Sequence, residues 1–403
     1  MRSLVVAVAL IAACRGDHQR AQQHAGSAGS ASAPLVPHIF ASDDGVAALA
    51  NVDRKIEILE KSADQPLQLV GLVLVRATFR GRLEDYVDAD KRSAAWIASA
   101  PTEPEAWKAR TQALTAIHEF AAAREALSHV KKLVTDDSEW LDLEVTIDEA
   151  SGRRDRSMPA RTEGARRFPN AKSLTLYAAT LALQGKLDEA LAQMPIAAAK
   201  LRDNSAETMA WLYFQWGRLY EQKGDYASAR AFYQEAHARL PGYVEANAHL
   251  AQTMMLTGDK AGATQVVTAA LASDRNPALL DLAAQLGIGS VDDARTAWER
   301  YLSALPKAFA DHAARFYLGA GMDPKRALEL ARANLANRDV PEARELVVQA
   351  ALASGDTTGA CDAAGPLADA ALRAHRFAAW QAFSRCGRTA DAAWLAKDLG
   401  IAP

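Results

Sequence analysis

One short pattern recurs along this chain, and its clearest copy occupies residues 213–241. Large residues three or four apart predict a first helix, Gly224 marks a turn, and Ala229 followed by Tyr233 predicts a second helix. The next copy places Gly258 where this copy has Gly224, 34 residues earlier. A helical hairpin of this size cannot bury its apolar face alone, so successive copies must stack into a solenoid.

The composition supports an all-helical chain without a nucleic-acid partner. Half of the residues are hydrophobic, 24% are charged, and the formal net charge is −3 with both signs interspersed. Alanine is abundant, and runs rich in Val, Ile and Thr are scarce, which favours helices over strands. A nearly neutral chain lacks the basic surface of a nucleic-acid binder.

Aligning the turn glycine with the alanine of the second helix predicts about ten hairpins. Copies such as 104–137, 171–204, 210–243 and 244–277 keep most of the landmarks. The other copies keep fewer landmarks, and they lie near 67–101, 138–170, 278–307, 308–340, 341–372 and 373–403. The predicted fold class is therefore an α-solenoid of helix-turn-helix units.

This pattern resembles the tetratricopeptide repeat family. Small residues at the eighth and twentieth positions of each copy carry the resemblance, because the two helices of a hairpin approach most closely there: Gly217, Ala251 and Ala178, then Ala229, Ala263, Ala190 and Ala123. The resemblance covers roughly residues 67–403. It implies a right-handed superhelix whose first helices line a concave groove that binds a protein or peptide.

The first residues, MRSLVVAVALIAAC, predict an export signal. Arg2 gives a positive start, and the apolar run up to Ala12 is too short to span a bilayer, which takes about 20 residues. The ending from Ile11 to Cys14 resembles a bacterial lipobox. This resemblance implies that Cys14 is lipidated, and that the protein faces the periplasm from the outer membrane of a Gram-negative-type cell envelope.

These observations divide the chain into four parts. Residues 1–13 are the predicted lipoprotein signal peptide, and residues 14–40, rich in Gly, Ser, Ala, His and Gln, are a predicted flexible tether. Residues 41–66 are predicted to form an N-terminal capping helix that covers the open end of the solenoid. Residues 67–403 are the predicted repeat solenoid.

The resemblance assigns the second, fifth, ninth and twelfth positions of each copy to the groove. The first helix of the fifth copy is then apolar on two faces, and an exposed aromatic pair beside an arginine is typical of a binding hot spot. In the alternative interpretation, the two aromatic residues pack beneath the 191–209 connection. The candidate partner-binding residues are Trp211, Phe214, Arg218, Glu221, Gln252 and Met255.

The peptide-carboxylate clamp of some family members is expected to be absent. Lys108 and Lys172 occupy two suitable positions, but Gln112, Leu143 and Leu176 stand where that pattern needs Asn, Asn and Arg. Another candidate is the arginine-rich run at 152–167. It is either a solvated helix face or a contact for anionic lipid headgroups.

Two cysteines other than Cys14 are candidates for a disulfide. Cys361 lies near the start of one second helix and Cys386 near the end of the next first helix. Because those helices are predicted to pack antiparallel, the two ends should meet, and an exported protein favours a bridge. Two buried free thiols are the alternative.

The sequence contains no recognisable catalytic constellation, metal-ligand spacing or cofactor motif. The leading functional prediction is a non-enzymatic, membrane-anchored scaffold that binds a protein partner and helps to assemble an envelope complex. An envelope hydrolase hidden in degenerate repeats and a self-associating structural homo-oligomer are the alternatives.

Overall fold

The computed structural model describes residues 36–37, 44–62 and 65–401, so Cys14 and the predicted signal peptide lie outside the described residues. The described residues form helices and no strands. The helices are α1 (Gly45–Ser62), α2 (Pro66–Arg80), α3 (Leu83–Ser99), α4 (Pro104–Ala116), α5 (Phe120–Leu133), α6 (Leu141–Ser151), α7 (Ser157–Arg167), α8 (Ala171–Leu183), α9 (Leu187–Ala199), α10 (Ala206–Lys223), α11 (Tyr226–Arg239), α12 (Val244–Leu256), α13 (Lys260–Ser273), α14 (Pro277–Leu286), α15 (Val291–Ala304), α16 (Pro306–Leu318), α17 (Pro324–Asn337), α18 (Pro341–Ser354), α19 (Thr357–Ala364), α20 (Arg373–Cys386) and α21 (Thr389–Leu399).

Helices α2 to α21 pair into successive hairpins, which confirms the predicted α-solenoid. The hairpin of α10 and α11 shows why. A Cβ atom on Gly217 would lie 2.6 Å from Cε1 of Tyr233, so only glycine lets these two helices approach so closely. Gly224 closes the turn at φ 81°, and the Asp225 side chain then accepts a hydrogen bond from the backbone N–H of Ser228, which caps α11.

Each hairpin turn of the described chain contains one residue in the left-handed region. Eight of these residues are glycines, and the other two, His118 and Met322, have φ values of 58° and 50°. The full set is Gly81, His118, Gly152, Gly185, Gly224, Gly258, Gly287, Met322, Gly355 and Gly387. The turn chemistry is thus uniform along the solenoid.

The second half of the solenoid lies directly on the first half. Four consecutive hairpin turns each contact a segment that links two later hairpins, and the hydrogen bonds between them join residues 188 to 195 positions apart. We call these the covered turns and the covered connections. The pairs are Gly81 with Asn276, His118 with Lys307, Gly152 with Asp339, and Gly185 with Ala371.

We call the boundary between the covered turns and the covered connections the seam, and polar contacts run along it. The Asn276 side chain donates to the carbonyl oxygen of Gly81 at 2.9 Å, and the Tyr301 hydroxyl accepts from the Leu83 N–H at 3.2 Å. Further along, Lys307 pairs with Glu119 at 2.7 Å. Arg154 and Glu342 also pair across the seam, with 2.7 Å between Nη2 and Oε2. One superhelical turn is therefore held on the next by side chains as well as by backbone.

Aromatic side chains support the seam from beneath. Phe79 and Tyr243 meet edge to face with ring centroids 4.8 Å apart, and Tyr86 meets Phe309 at 5.9 Å. Such pairs contribute about 0.5–1.5 kcal/mol beyond the apolar area that they bury.

Helix α1 does more than the predicted end cap. It packs on α2, and it also contacts α10 in the fifth hairpin. Its first residue, Gly45, lies so close to the connection after α11 that a Cβ atom would overlap the carbonyl group of Arg239. The N-terminal helix therefore begins the same seam that the covered turns continue.

Near the C-terminus, the structure joins Cys361 and Cys386 by a disulfide, with 6.3 Å between their Cα atoms. The bridge links α19 to α20 and so fastens two consecutive hairpins. Among the described helices, none combines the length and the apolar composition that crossing a bilayer requires.

Candidate functional site

The predicted groove residues on α10 are mostly buried, so the structure favours the alternative in which Trp211 and Phe214 are packed rather than exposed. Trp211 is 9% exposed and Phe214 is 1% exposed, and Arg218 is buried with them. Glu221 is half-buried. The physical reason is the number of neighbours: α10 contacts α1, α8, α9 and α11, so both of its apolar faces are covered.

Phe214 illustrates this burial. Its ring lies 5.6 Å from that of Tyr233, 5.1 Å from that of Tyr243 and 5.3 Å from that of His249. On α12, Gln252 is buried and Met255 is half-buried, because α12 also packs against α2. The six candidate residues therefore do not form an open aromatic groove.

A polar cluster lies beneath these residues. The Tyr233 hydroxyl donates to Glu221, and Nδ1 of His249 lies 2.8 Å from Oε2 of the same carboxylate. Burial raises the pKa of Glu221, but the nearby His249, Tyr233 and Arg218 lower it by more than burial raises it. The net shift of this pKa is therefore downward. Because Tyr233 is fully buried and His249 almost so, this cluster acts as a structural network and offers no accessible nucleophile.

A cavity of the described solenoid lies elsewhere, in the third and fourth hairpins. It has a volume of about 230 Å³, and it opens between the N-terminal ends of α6 and α8 and the C-terminal end of α7. A cavity of about 150 Å³ already holds benzene, so this one accepts a single large side chain. Its apolar lining includes Leu141, Val145, Ala160, Ala165 and Leu176.

Four charged residues line the same cavity. Arg161 is only 5% exposed, and it pairs with Asp142 and with the buried Glu149 behind the cavity. Lys172 reaches Asp142 at 2.8 Å and remains 35% exposed. Arg167 stands at the rim, also 35% exposed. Three cations and one carboxylate therefore surround an apolar floor.

The charges shift the ionisation of Asp142. Burial raises the pKa of this carboxyl, but Lys172 and Arg161 outweigh that effect and bring the pKa to about 2. Asp142 is therefore ionised throughout the physiological pH range. The buried Nε of Arg161 has no hydrogen-bond partner among the described residues, so this guanidinium is only partly satisfied.

The arginine-rich run is not a uniformly solvated helix face. Arg161 is buried at the cavity, and Arg154 crosses the seam to Glu342. Arg166 does behave as a solvated residue, since its side chain is 71% exposed and pairs with Glu163 on the same helix. Only part of the run is therefore the solvated helix face that one of the two interpretations predicted.

The sequence carried a signal for Arg161 that the search for motifs missed. Arg161 occupies the twenty-fourth position of its copy. At that position the aligned copies have buried apolar residues, namely Leu127, Met194, Tyr233 and Val267. A long charged residue in the place of a core residue predicts a local opening lined by that charge. Lys172, which the sequence places at a position suitable for the peptide-carboxylate clamp, also lines the cavity.

Within the described residues, no group of three His, Cys, Asp or Glu side chains is arranged to hold a metal ion. The lining of the cavity contains no cysteine and no histidine, and its hydroxyl groups belong to Ser138 and Ser173. Neither serine has a neighbouring histidine in that lining to act as a base. The chemistry available here is recognition by charge and by apolar contact.

One family model matches part of the chain. The tetratricopeptide repeat family model matches residues 220–286, which include α11, α12 and α13. The chain is an α-solenoid of tetratricopeptide-type hairpins. No curated protein sequence matches it.

Three solved structures illustrate the likeness of this tetratricopeptide-type solenoid. The hetero-tetramer of Cut9 and Hcn1 from the APC/C has a TM-score of 0.45 at 12% identity, over 87% of this chain and 73% of that one. The human IFIT1 dimer with PPP-AAAA has a TM-score of 0.44 at 15% identity, over 82% and 78%. A tetratricopeptide repeat protein from Parabacteroides merdae ATCC 43184 has a TM-score of 0.34 at 16% identity, over 60% and 99%.

Proposed function

We propose that this protein is a non-enzymatic scaffold that binds a peptide segment of a protein partner, and that the cavity between α6, α7 and α8 anchors that segment. The observation that carries the proposal is the cavity itself: an apolar floor large enough for one side chain, with Arg167 and Lys172 at its opening. Hairpin solenoids generally act as protein-binding surfaces. The tetratricopeptide match at 220–286 supports the same class of function.

The lining defines the chemistry of the preferred peptide. An aliphatic or aromatic side chain would fill the apolar floor, where burying it fully contributes about 1.5–3 kcal/mol. A neighbouring Asp or Glu of the peptide would meet the partly exposed Lys172 and Arg167. Asp142 already pairs with Lys172 and Asp137 already pairs with Arg167, so the peptide carboxylate adds specificity more than affinity.

The anchor and the location extend the proposal. Lipidation at Cys14 would hold the solenoid at the membrane, and the predicted tether of residues 14–40 would let it reach a partner in the envelope. The process served would be the assembly of an envelope complex. Replacing Cys14 with Ser should release the mature chain into the soluble fraction, and unchanged sedimentation with membranes would contradict the anchor.

Peptide binding is tested by filling the cavity. In Ala160→Trp a large ring occupies the floor, so peptides with an apolar residue beside an acidic one should bind at least about tenfold more weakly. The matched control is Ala121→Trp, which places the same ring at an exposed position of α5. Circular dichroism should show the same helicity for both variants.

Partner capture should depend on the same residue. A photo-crosslinking amino acid at position 160, introduced into cells, should capture one partner that the same group at position 121 does not capture. Lys172→Glu should then reduce the capture of acidic segments. If Ala160→Trp and Ala121→Trp bind every tested peptide and the captured partner equally well, the cavity is not the binding site.

A further inference from the structure

We propose that a second copy of this chain docks on the solenoid head to tail and continues the seam that joins its two halves. Within one molecule, four turns sit on four connections. Among the described residues, the other six hairpin turns do not lie on a connection, and we call them open: Gly224, Gly258, Gly287, Met322, Gly355 and Gly387. No described hairpin turn lies on four earlier connections, at 100–103, 134–140, 168–170 and 200–205, which we call the open connections. This inference goes beyond the proposed peptide binding and does not rest on it.

We call the row of open turns the turn edge and the row of open connections the connection edge. The turn edge has the same local geometry as the row of covered turns. Open turns follow one another at the hairpin repeat, as the covered turns do, and nearly all of them use the same left-handed glycine. A Cβ atom on Gly224, Gly258 or Gly355 would meet no described atom within 4 Å outside its immediate neighbourhood. A Cβ atom on Gly152 would instead lie 2.3 Å from the carbonyl oxygen of Asp339. The open turns are thus free to accept a row of connections.

Five of the nine large apolar residues that the described chain exposes lie at these two edges, and the other four are Val46, Ile58, Leu67 and Trp394. Among the large apolar residues that the described chain exposes, Ile288 is 45% exposed and Met322 is 85% exposed, and both lie in open turns. Leu133 at 41%, Phe168 at 47% and Ile196 at 47% lie at the open connections or within one helical turn of them. Exposed apolar residues that cluster in this way mark an interaction surface.

Both edges carry charged side chains. Four open turns are followed at once by an acidic residue: Asp225, Asp259, Asp323 and Asp356. Exposed basic residues lie in, or just before, three of the open connections: Lys132, Arg166, Lys200 and Arg202. In the covered seam, Glu119 after a turn pairs with Lys307, whereas Arg82 and Arg154 after turns pair with Asp274 and Glu342, so ion pairs of either sense join the two sides. A second molecule would form ion pairs of the first kind.

The contact is heterologous, because the turns of one copy meet the connections of the other. Such a contact leaves a free turn edge and a free connection edge at the two ends of every dimer. The assembly therefore grows with concentration into longer stacks, and salt weakens it because the edge charges are exposed.

Sedimentation velocity and light scattering of the mature chain test this proposal. The mean mass should rise with protein concentration and fall as salt is added. A turn-edge variant, Ile288→Glu with Met322→Asn, should raise the apparent dissociation constant at least about tenfold. A connection-edge variant, Leu133→Glu with Ile196→Glu, should do the same. Phe168 stays unchanged because it also borders the peptide cavity.

Mixing the two variants identifies the polarity of the contact. The turn-edge variant keeps intact connections and the connection-edge variant keeps intact turns, so an equimolar mixture should form dimers and nothing longer. Trp394→Glu, at a residue 51% exposed on the last helix, is the matched control and should associate like the parent chain.

Three outcomes would overturn the proposal. The first is a mass that stays monomeric up to the highest soluble concentration. The second is a mixture of variants that forms no dimer. The third is loss of association in Trp394→Glu alone, since that would place the contact at the end of the solenoid. Peptide binding at the cavity can succeed or fail independently of all three.

Discussion

The covered and open turns differ in what surrounds them, although their local sequences follow one pattern. Gly152 and Gly355 both close a hairpin with a positive φ, of 100° and 83°. Only Gly152 lies against another part of the chain, the backbone of Asp339. An open turn therefore only reverses the chain. A covered turn reverses the chain and also packs against the next superhelical turn.

His118 shows how the covered row tolerates a residue other than glycine. Its ring nitrogen Nδ1 donates to the carbonyl oxygen of Lys307 at 3.1 Å, and its own carbonyl oxygen accepts from the Asn337 side chain at 3.0 Å. Hydrogen bonds across the seam thus offset the strain of a left-handed histidine. Met322 in the open row carries the same kind of strain while 85% exposed.

The largest expected effect is a difference in the free energy of unfolding between alanine variants of a covered and an open turn glycine. Gly355→Ala should cost about 1 kcal/mol, because alanine resists a positive φ. Gly152→Ala should cost about 1–3 kcal/mol more, since its Cβ must displace a backbone carbonyl of the neighbouring turn. Urea unfolding followed by circular dichroism measures both variants. Equal costs would mean that the seam is absent in solution.

The second effect is a loss of folding stability at acid pH, and it depends on His118. Burial, together with the charge of Arg338, lowers the pKa of His118 to about 4, although Asp311 raises it, and His312 also faces the ring. The folded pKa lies below the ordinary value of about 6.5, so stability is present above that value and is lost as the pH falls towards 4. The loss should reach about 3 kcal/mol. His118→Asn should remove it because asparagine does not titrate, and asparagine also tolerates the left-handed backbone conformation of this residue.

His375 should affect folding stability at alkaline pH, and it serves as the control for His118. Burial lowers its pKa, but the carboxylates of Glu342 and Glu345 raise it to about 9. Stability from the charged ring is therefore present below about 6.5 and lost as the pH rises through 9. His375→Gln should flatten only the alkaline limb of the stability profile, and His118→Asn only the acid limb. If each variant changed both limbs, these assignments would be wrong.

The smallest effect concerns an exposed pair on the seam. Lys307 is 46% exposed and Glu119 is 36% exposed, so their ion pair is well hydrated. Glu119→Gln should destabilise the fold by less than about 1 kcal/mol, and added salt should remove the difference. A larger cost would mean that this pair is more enclosed than its exposure indicates.

The hairpins were predictable from the sequence because their determinants are local. Gly217 opposite Tyr233, Gly224 in the turn and Asp225 at the cap all act within a single copy of the repeat. These contacts need no knowledge of the rest of the chain, so the period alone indicated an α-solenoid.

The seam and the cavity were not predictable in the same way. The seam joins residues 188 to 220 positions apart, and no pattern within one copy shows which hairpins will meet. For that reason the sequence left open whether Trp211 and Phe214 face a groove or are packed, and in the structure α1 and the neighbouring hairpins bury them. The cavity could have been located from Arg161, which replaces a core residue of the repeat.

Zero-length crosslinking of carboxylates to amines tests the stacked solenoid most directly. In solution, Glu119 should crosslink to Lys307, which it contacts at 2.7 Å across the seam. Asp188 and Lys223, in neighbouring hairpins and also 2.7 Å apart, provide the positive control. In a mixture of isotopically light and heavy chains, a stacked solenoid should give a Glu119–Lys307 product within single chains. A crosslink between Asp188 and Lys223 without that product, or a Glu119–Lys307 product only between chains, would contradict it.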